Sequence, residues 1–157
     1  MRKRIISQGV DEVSPTDQDW LDLERIAQVE LTSEDPAHPF ESALRPDKGS
    51  AWRASSPGEQ TIRLLFYEPV SIKHIRLEFN EEQYARTQEF VLRWSPDDGQ
   101  TYQEIARQQY NFSPPDTIRE VEDYAVELDR VTALELSIIP DISRSEVRAS
   151  LAGLQLA

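Results

Sequence analysis

The chain has 157 residues, of which 38% are hydrophobic and 29% are charged, and this length fits one domain with its own buried core. With 17 basic and 29 acidic residues the formal net charge is −12. Such a charge argues against a nucleic-acid partner, because Lys and Arg are needed to neutralise phosphates. Cysteine is absent, so disulfides, thiolate metal sites and cysteine nucleophiles are excluded.

The start of the chain carries no signal for export or membrane insertion. No apolar run in the sequence approaches the ~18 residues that span a bilayer. The basic segment MRKRIISQGVDEV has only Ile5-Ile6 as an apolar stretch, whereas a secretory core needs about 7–15 apolar residues. The sequence therefore predicts a soluble, cytoplasmic protein with no membrane partner.

The first third of the chain mixes polar segments with short regular elements. Residues 1–15 are polar and are expected to form a flexible arm. Thr16 has the character of an N-cap, and the acidic residues after it favour a short helix over 17–24. Alternating apolar residues predict a strand at 27–31, and proline at the start of 39–44 predicts a helical turn there.

The rest of the chain alternates apolar and polar residues with a period of two, which is typical of strands with one buried face. Pro69-Val70 is predicted to turn the chain, and Asp98-Gly99 signals a hairpin. The further predicted strands are 61–66, 72–79, 90–94, 101–109, 124–128, 134–138 and 151–156.

About eight strands with almost no helix predict an all-β fold, namely an antiparallel β-sandwich of the jelly-roll kind, with a barrel as the less favoured alternative. Phe79, Leu92 and Ile138 are expected to meet in its interior. We assign residues 1–24 to an N-terminal arm with a short helix and residues 25–157 to the sandwich.

Loop length separates the two ends of such a sandwich. The turns 67–70, 96–99 and 129–132 are short and fall at one end, whereas the loops 45–59, 80–88, 109–117 and 140–149 are longer and fall at the other. Loops held by a rigid scaffold often carry function, and aromatic rings beside Arg and Asn suit sugar or carboxylate recognition. The predicted ligand-binding residues are Trp52, Arg53, Tyr84, Arg86, Tyr110, Asn111 and Arg144.

Structural roles compete with this assignment. Trp52 stands at a strand entry and is favoured as a core residue. Arg53 and Arg86 are alternatively partners of Glu120 or Glu122 in a charged network. Phe112 and Arg148 lie in the same loops but are not counted among the ligand contacts.

Residues suited to catalysis are few. His38 lies in a proline-flanked loop, and His74 lies on the polar side of a strand, where solvent exposure is expected. Glu120 and Glu122 share one strand face and are the remaining candidates for an acid/base pair, although alternating charge usually marks a solvated face. We therefore predict that the protein is not an enzyme.

Three segments resemble the galactose-binding-like, or discoidin, domains of the coagulation-factor C type. These are ESALRPDKGSAWRA at 41–54, the hairpin FVLRWSPDDGQTYQEI at 90–105, and the final pair LELSIIP and ASLAGLQLA. The resemblance covers residues from about 26 to 157. It implies an eight-stranded jelly roll that binds carbohydrates, lipids, proteins or DNA ends, usually without catalysis.

The resemblance also implies a structural calcium ion in many bacterial members. Asp47 and Ser50 stand at the place of the first ligands, but Gly153 stands where a glutamate ligand is expected. Because a hard cation needs several oxygen ligands, this departure weighs against the ion, and we expect no cofactor.

The sequence as a whole favours a non-catalytic binding module that recognises a carbohydrate or another small polar ligand. The alternative is a domain for protein interaction or assembly without a small-molecule ligand, with a protein partner or a second copy of the chain. Trp20, Leu21 and Leu23 of the N-terminal arm would then pack either on their own domain or on a second copy.

Overall fold

The computed structural model describes residues 19–157. One short helix, α1 (Leu23–Ile26), precedes the first strand, and two 3-10 helices follow it at Phe40–Leu44 and Pro46–Lys48. The strands are β1 (Ala27–Leu31), β2 (Trp52–Arg53), β3 (Gln60–Asn80), β4 (Arg86–Ser95), β5 (Gln103–Phe112), β6 (Arg119–Ile139), β7 (Ser150–Leu151) and β8 (Gly153–Leu156).

Two long antiparallel strands, β3 and β6, connect the layers of the sandwich. The first half of β3 and the second half of β6 lie in a sheet with the order β1-β3-β6-β4-β5. The second half of β3 pairs with the first half of β6 and with β8 in the other layer. Register shifts between Leu65 and His74, with a positive φ of 60° at Arg130, mark the bend, as expected for strands that change sheets through bulges.

The core lies between these layers. Phe79, Leu92 and Ile138 are all buried in one cluster, which confirms the interior predicted from their alternation. The rings of Phe79 and Phe90 stack with centroids 5.3 Å apart and join β3 of one layer to β4 of the other. The antiparallel β-sandwich is therefore confirmed.

Two predicted interruptions are wrong. Pro69-Val70 does not turn the chain, because β3 continues through it as a bulge. Residues 129–132 likewise lie within β6. A bulge has the sequence character of a turn, since both release a few residues from the ladder and tolerate proline.

Within the described residues, helix α1 begins later than the predicted helix 17–24. Thr16 and the first residues of the predicted helix 17–24 lie outside the described residues, as does the arm 1–15. Residues 19–22 have no regular structure, and helix α1 is a single turn. No helix in the described part of the chain is long and apolar enough to cross a membrane.

The segment before α1 packs on its own sandwich. The backbone N–H of Leu21 donates to the carbonyl oxygen of Leu156 at 2.7 Å. The ring of Trp20 lies 5.1 Å from that of His74, whose Nε2 is 2.8 Å from Asp123 Oδ1. His74 is therefore half-buried rather than solvent-exposed, because this segment covers it.

Candidate functional site

A two-stranded ribbon forms the base of the candidate site. Strands β2 and β7 pair antiparallel, with Trp52 opposite Leu151 and Arg53 opposite Ser150. Successive strand residues point to opposite faces. One face of the ribbon is therefore buried with Trp52 and Leu151, and the other presents the exposed side chain of Arg53.

A short loop packs along the free edge of β2. The N–H of Asp35 donates to the carbonyl of Arg53 at 2.8 Å, and the N–H of Arg53 donates to the carbonyl of His38 at 3.2 Å. The N–H of Ala37 donates to Asp35 Oδ1, and His38 Nδ1 lies 3.3 Å from Asp35 Oδ2. The hydrogen bond from Ala37, together with that from His38, outweighs burial and holds the pKa of the Asp35 carboxyl below its ordinary value.

A buried ion pair anchors the loop after β3. Arg86 Nε donates to Glu81 Oε1 at 2.7 Å, and the Arg86 side chain is only 1% exposed. The other Glu81 oxygen accepts the backbone N–H groups of Gln83 and Tyr84. Burial raises the pKa of Glu81, but these hydrogen bonds and the charge of Arg86 outweigh burial, so that the pKa is lowered. Glu81 is therefore an anionic support for the backbone that carries Tyr84.

Arg86 is fixed in turn by the sandwich. Its Nη1 donates to the Pro140 carbonyl at 2.7 Å and to Gln88 Oε1 at 3.1 Å. Its guanidinium lies 4.6 Å from the centroid of the Phe112 ring, a cation–π geometry. A rigid support of this kind keeps a binding loop ordered before the ligand arrives.

A concavity of about 500 Å³ lies between the β2–β7 ribbon, the loop that packs along β2, the loop after β3 and the residues before β7. Tyr84 stands on its rim with 52% of its surface exposed. A second concavity of about 410 Å³ adjoins it. The residues that line both are Arg53, Tyr84, Val147 and Arg148.

The arrangement suits recognition of a polar, ring-shaped ligand. An exposed aromatic face stacks on the apolar face of such a ligand, and guanidinium groups give paired hydrogen bonds to its oxygens. The imidazole of His38, which also lines the concavity, adds a further donor or acceptor.

Comparison with known proteins identifies the fold. No family model and no curated protein matches the sequence. A pectin-binding carbohydrate-binding module is 18% identical, with a TM-score of 0.61 over 84% of this chain and 90% of that one. The family 32 module of NanJ from C. perfringens, in complex with galactose, is 12% identical, with a TM-score of 0.63 over 87% and 96%. The family 32 module of AlyQ, in complex with 4,5-unsaturated mannuronic acid, is 14% identical, with a TM-score of 0.62 over 89% and 98%.

The chain has the galactose-binding-like fold. This confirms the fold that the three sequence segments predicted. At these identities the likeness extends to the arrangement of strands, so the site must be judged from the side chains of this chain.

The predicted ligand-binding residues separate into two groups in this galactose-binding-like sandwich. Trp52, Arg53 and Tyr84 are all among the residues that line the concavity. Tyr110, Asn111 and Arg144 are absent from the lining described for both concavities. Tyr110 donates its hydroxyl to the Arg119 carbonyl, and the Asn111 side-chain oxygen accepts the Thr87 hydroxyl, so both have structural partners.

Two of the predicted contacts are buried. Trp52 is 0% exposed, so its ring supports the ribbon from below and presents no face to a ligand. Arg86 is held by Glu81 rather than by Glu120 or Glu122. The alternative that Arg86 has a structural partner was thus right, with a different carboxylate.

His38 and Arg148 were missed as site residues. His38 reaches the concavity through the backbone pairing of residues 35–38 with β2, and no local pattern indicates such a long-range contact. For Arg148 a signal existed, because a short apolar alternation at 149–151 predicts an edge strand whose preceding residue lies beside β2.

The calcium ligands that the resemblance implied do not fit. A Cβ atom at Gly153 would lie 3.2 Å from Pro46 Cβ and 3.3 Å from Glu78 Cβ, so the expected glutamate would have to displace one of these neighbours. Asp47 and Ser50 are exposed, and no group of three or more His, Cys, Asp or Glu side chains in the described range could hold a metal ion.

Neither Glu120 nor Glu122 is among the residues that line the two concavities. Glu120 is 1% exposed, and one of its carboxyl oxygens has no hydrogen-bond partner among residues 19–157. Burial, and then the adjacent Glu122, raise the pKa of Glu120 to about 8. The Glu120 carboxyl is therefore almost inaccessible to solvent, whereas Glu122 is half-buried.

Proposed function

We propose that the protein is a non-catalytic carbohydrate-binding module whose ligand occupies the concavity bordered by Arg53, Tyr84 and Arg148. The observation that carries this proposal is the exposed ring of Tyr84 beside two exposed guanidinium groups, on a loop fixed by a buried ion pair.

The similar solved structures support a saccharide as the ligand class. The ligands bound in these structures include a neutral sugar, galactose, and an acidic one, 4,5-unsaturated mannuronic acid. The fold therefore accommodates both kinds, and the choice between them depends on the side chains of each chain. The burial of Glu120, which is not among the lining residues, supports the absence of catalysis in this proposal.

The test is calorimetric titration of the full chain with a panel of neutral and acidic oligosaccharides. For any oligosaccharide that binds, we expect Tyr84→Ala to weaken binding about tenfold or more, since removing a buried aromatic contact costs at least ~1.5 kcal/mol. Chromatography of the incubated oligosaccharide should show it unchanged.

Tyr67→Ala is the matched control. Tyr67 is also an exposed tyrosine, with 66% of its surface accessible, but it lies at the bend of β3 and is expected to leave affinity unchanged. Titrations that stay flat across the panel would refute the proposal. Equal losses from both tyrosine substitutions would remove the site from this concavity.

A further inference from the structure

Two cations share the open face of the β2–β7 ribbon. Arg53 lies opposite Ser150, and the Ala54 N–H donates to the Ala149 carbonyl at 2.9 Å, which continues the pairing toward Arg148. Arg148 comes just before β7 and lines both concavities together with Arg53. Because both guanidinium groups border the same space, one small group can contact both.

Neither guanidinium has a carboxylate partner in an ion pair within residues 19–157, although the chain has 29 acidic residues. Other arginines do: Arg63 pairs with Glu135 at 2.7 Å, and Arg45 pairs with Glu24 at 2.6 Å. Like charges side by side on a sheet are unfavourable. The charge of Arg148 contributes to lowering the pKa of Asp35, but neither arginine forms an ion pair among the described residues, so both remain available to an external anion.

The geometry points to an acidic saccharide, one containing uronate residues, as the ligand of this concavity, with a uronate carboxylate bound between Arg53 and Arg148 and the sugar ring against Tyr84. This inference rests on the proposed function. The planar guanidinium fork matches a carboxylate in two parallel hydrogen bonds, which a neutral hydroxymethyl group cannot provide.

The carboxylates nearby limit the charge density of the ligand. Glu82 and Glu146 are exposed and line the two concavities, and the carboxyl of Asp35 is engaged by Ala37 and His38. A densely charged polyanion would meet these groups as well as the arginines. A saccharide with one carboxylate per sugar unit fits the concavity better than a more densely charged ligand.

The experiment compares matched pairs that differ only at the carboxyl group. Oligomers of galacturonate, mannuronate and glucuronate are titrated as free acids and as methyl esters, beside neutral galacto-oligosaccharides and sodium acetate. We expect at least one free acid to bind about tenfold or more tightly than its ester, with acetate too weak to compete, and this advantage to shrink at high salt because exposed charges are screened.

Arg53→Gln and Arg148→Gln should each remove most of the difference between acid and ester while leaving ester affinity within about twofold. Arg144→Gln is the control, because Arg144 is exposed and lies in the preceding loop but is not described in either lining. All three side chains are exposed, so folding is expected to survive.

The outcomes separate the two proposals. Equal affinity for acids, esters and neutral sugars would overturn the inference and keep the binding module. An acid preference that survives both arginine substitutions would also overturn it, because the carboxylate would be bound elsewhere. Binding of no saccharide would overturn both.

Discussion

Glu120→Gln is expected to remove the loss of stability that this carboxyl causes at alkaline pH. Glu120 is buried in β6, opposite Phe79 of the neighbouring strand. Gln88 Nε2 donates to one of its oxygens at 3.2 Å, while the other has no partner in the described structure. Arg86 lowers the pKa of Glu120 slightly, but burial and Glu122 dominate and raise it to about 8.

The sign follows from comparing the two states. The ordinary pKa of the carboxyl is 4.5, and its folded pKa is about 8. Between these pH values the carboxyl is ionised in the unfolded chain but neutral in the folded one. The stabilisation that Glu120 contributes is therefore fully present below about pH 4.5 and is lost as pH rises through 8. At ~1.4 kcal/mol per pKa unit, the loss from this group is on the order of 3 kcal/mol by pH 7 and on the order of 5 kcal/mol above pH 8.

Glutamine keeps the shape and remains neutral. Its amide can donate toward Glu122 while its oxygen still accepts from Gln88. We therefore expect Glu120→Gln to be close to wild type at about pH 5 and more stable by several kcal/mol at about pH 9. Urea denaturation followed by circular dichroism across this range measures the difference, in which the other titrating groups cancel.

Glu127→Gln, on the same strand but exposed, is the control and should track wild type at every pH. Parallel stability curves for wild type and Glu120→Gln would refute the reasoning, since they would mean that Glu120 titrates alike in the folded and unfolded chain. Tyr124 lies on the same side of β6, and its hydroxyl is buried without a partner in the described structure. Burial, and then Glu122 and Glu120, raise its pKa to about 12.

Two further substitutions test the supports of the site. Arg86→Met should cost about 3–5 kcal/mol, because it leaves the Glu81 carboxylate without its buried partner, and a loss below about 1 kcal/mol in urea denaturation would contradict this role. Gly153→Ala should cost about 1–2 kcal/mol, because its Cβ would press on Pro46 and Glu78; the same packing predicts that excess calcium or a chelator leaves the melting temperature of the wild type unchanged, and a calcium-dependent rise would contradict it.

Alternation predicted the buried faces because it depends only on local geometry. Leu77, Phe79 and Leu92 are buried as their spacing requires. The long strand β3 was divided in two because Pro69 at a bulge has the same local signature as proline in a turn. Distinguishing them requires knowledge of the partner strand, which a single stretch of sequence does not contain.

The site was harder to predict for a physical reason. Arg86 and Arg53 are the same residue type in neighbouring loops of one end, yet one is buried under Phe112 and the other is exposed. Burial of a charge is decided by whether a distant carboxylate comes within reach, and here Glu81 does so for Arg86 alone. The convergence of His38, Arg53 and Arg148 likewise depends on backbone pairing between distant segments, such as that of Trp52 with Leu151.

Comparing substitutions of Arg86 and Arg53 therefore separates a residue that positions the Tyr84 loop from one that would contact the ligand. Removing the Arg86 charge weakens the anchor of the Tyr84 loop, so stability and saccharide affinity should fall together. Removing the Arg53 charge leaves every described ion pair intact, because Arg53 is in none of them, so affinity should fall while stability holds. If Arg53→Gln lowered stability as much as Arg86→Met, the open face of the ribbon would be a structural surface, and the binding site would have to be sought elsewhere on the sandwich.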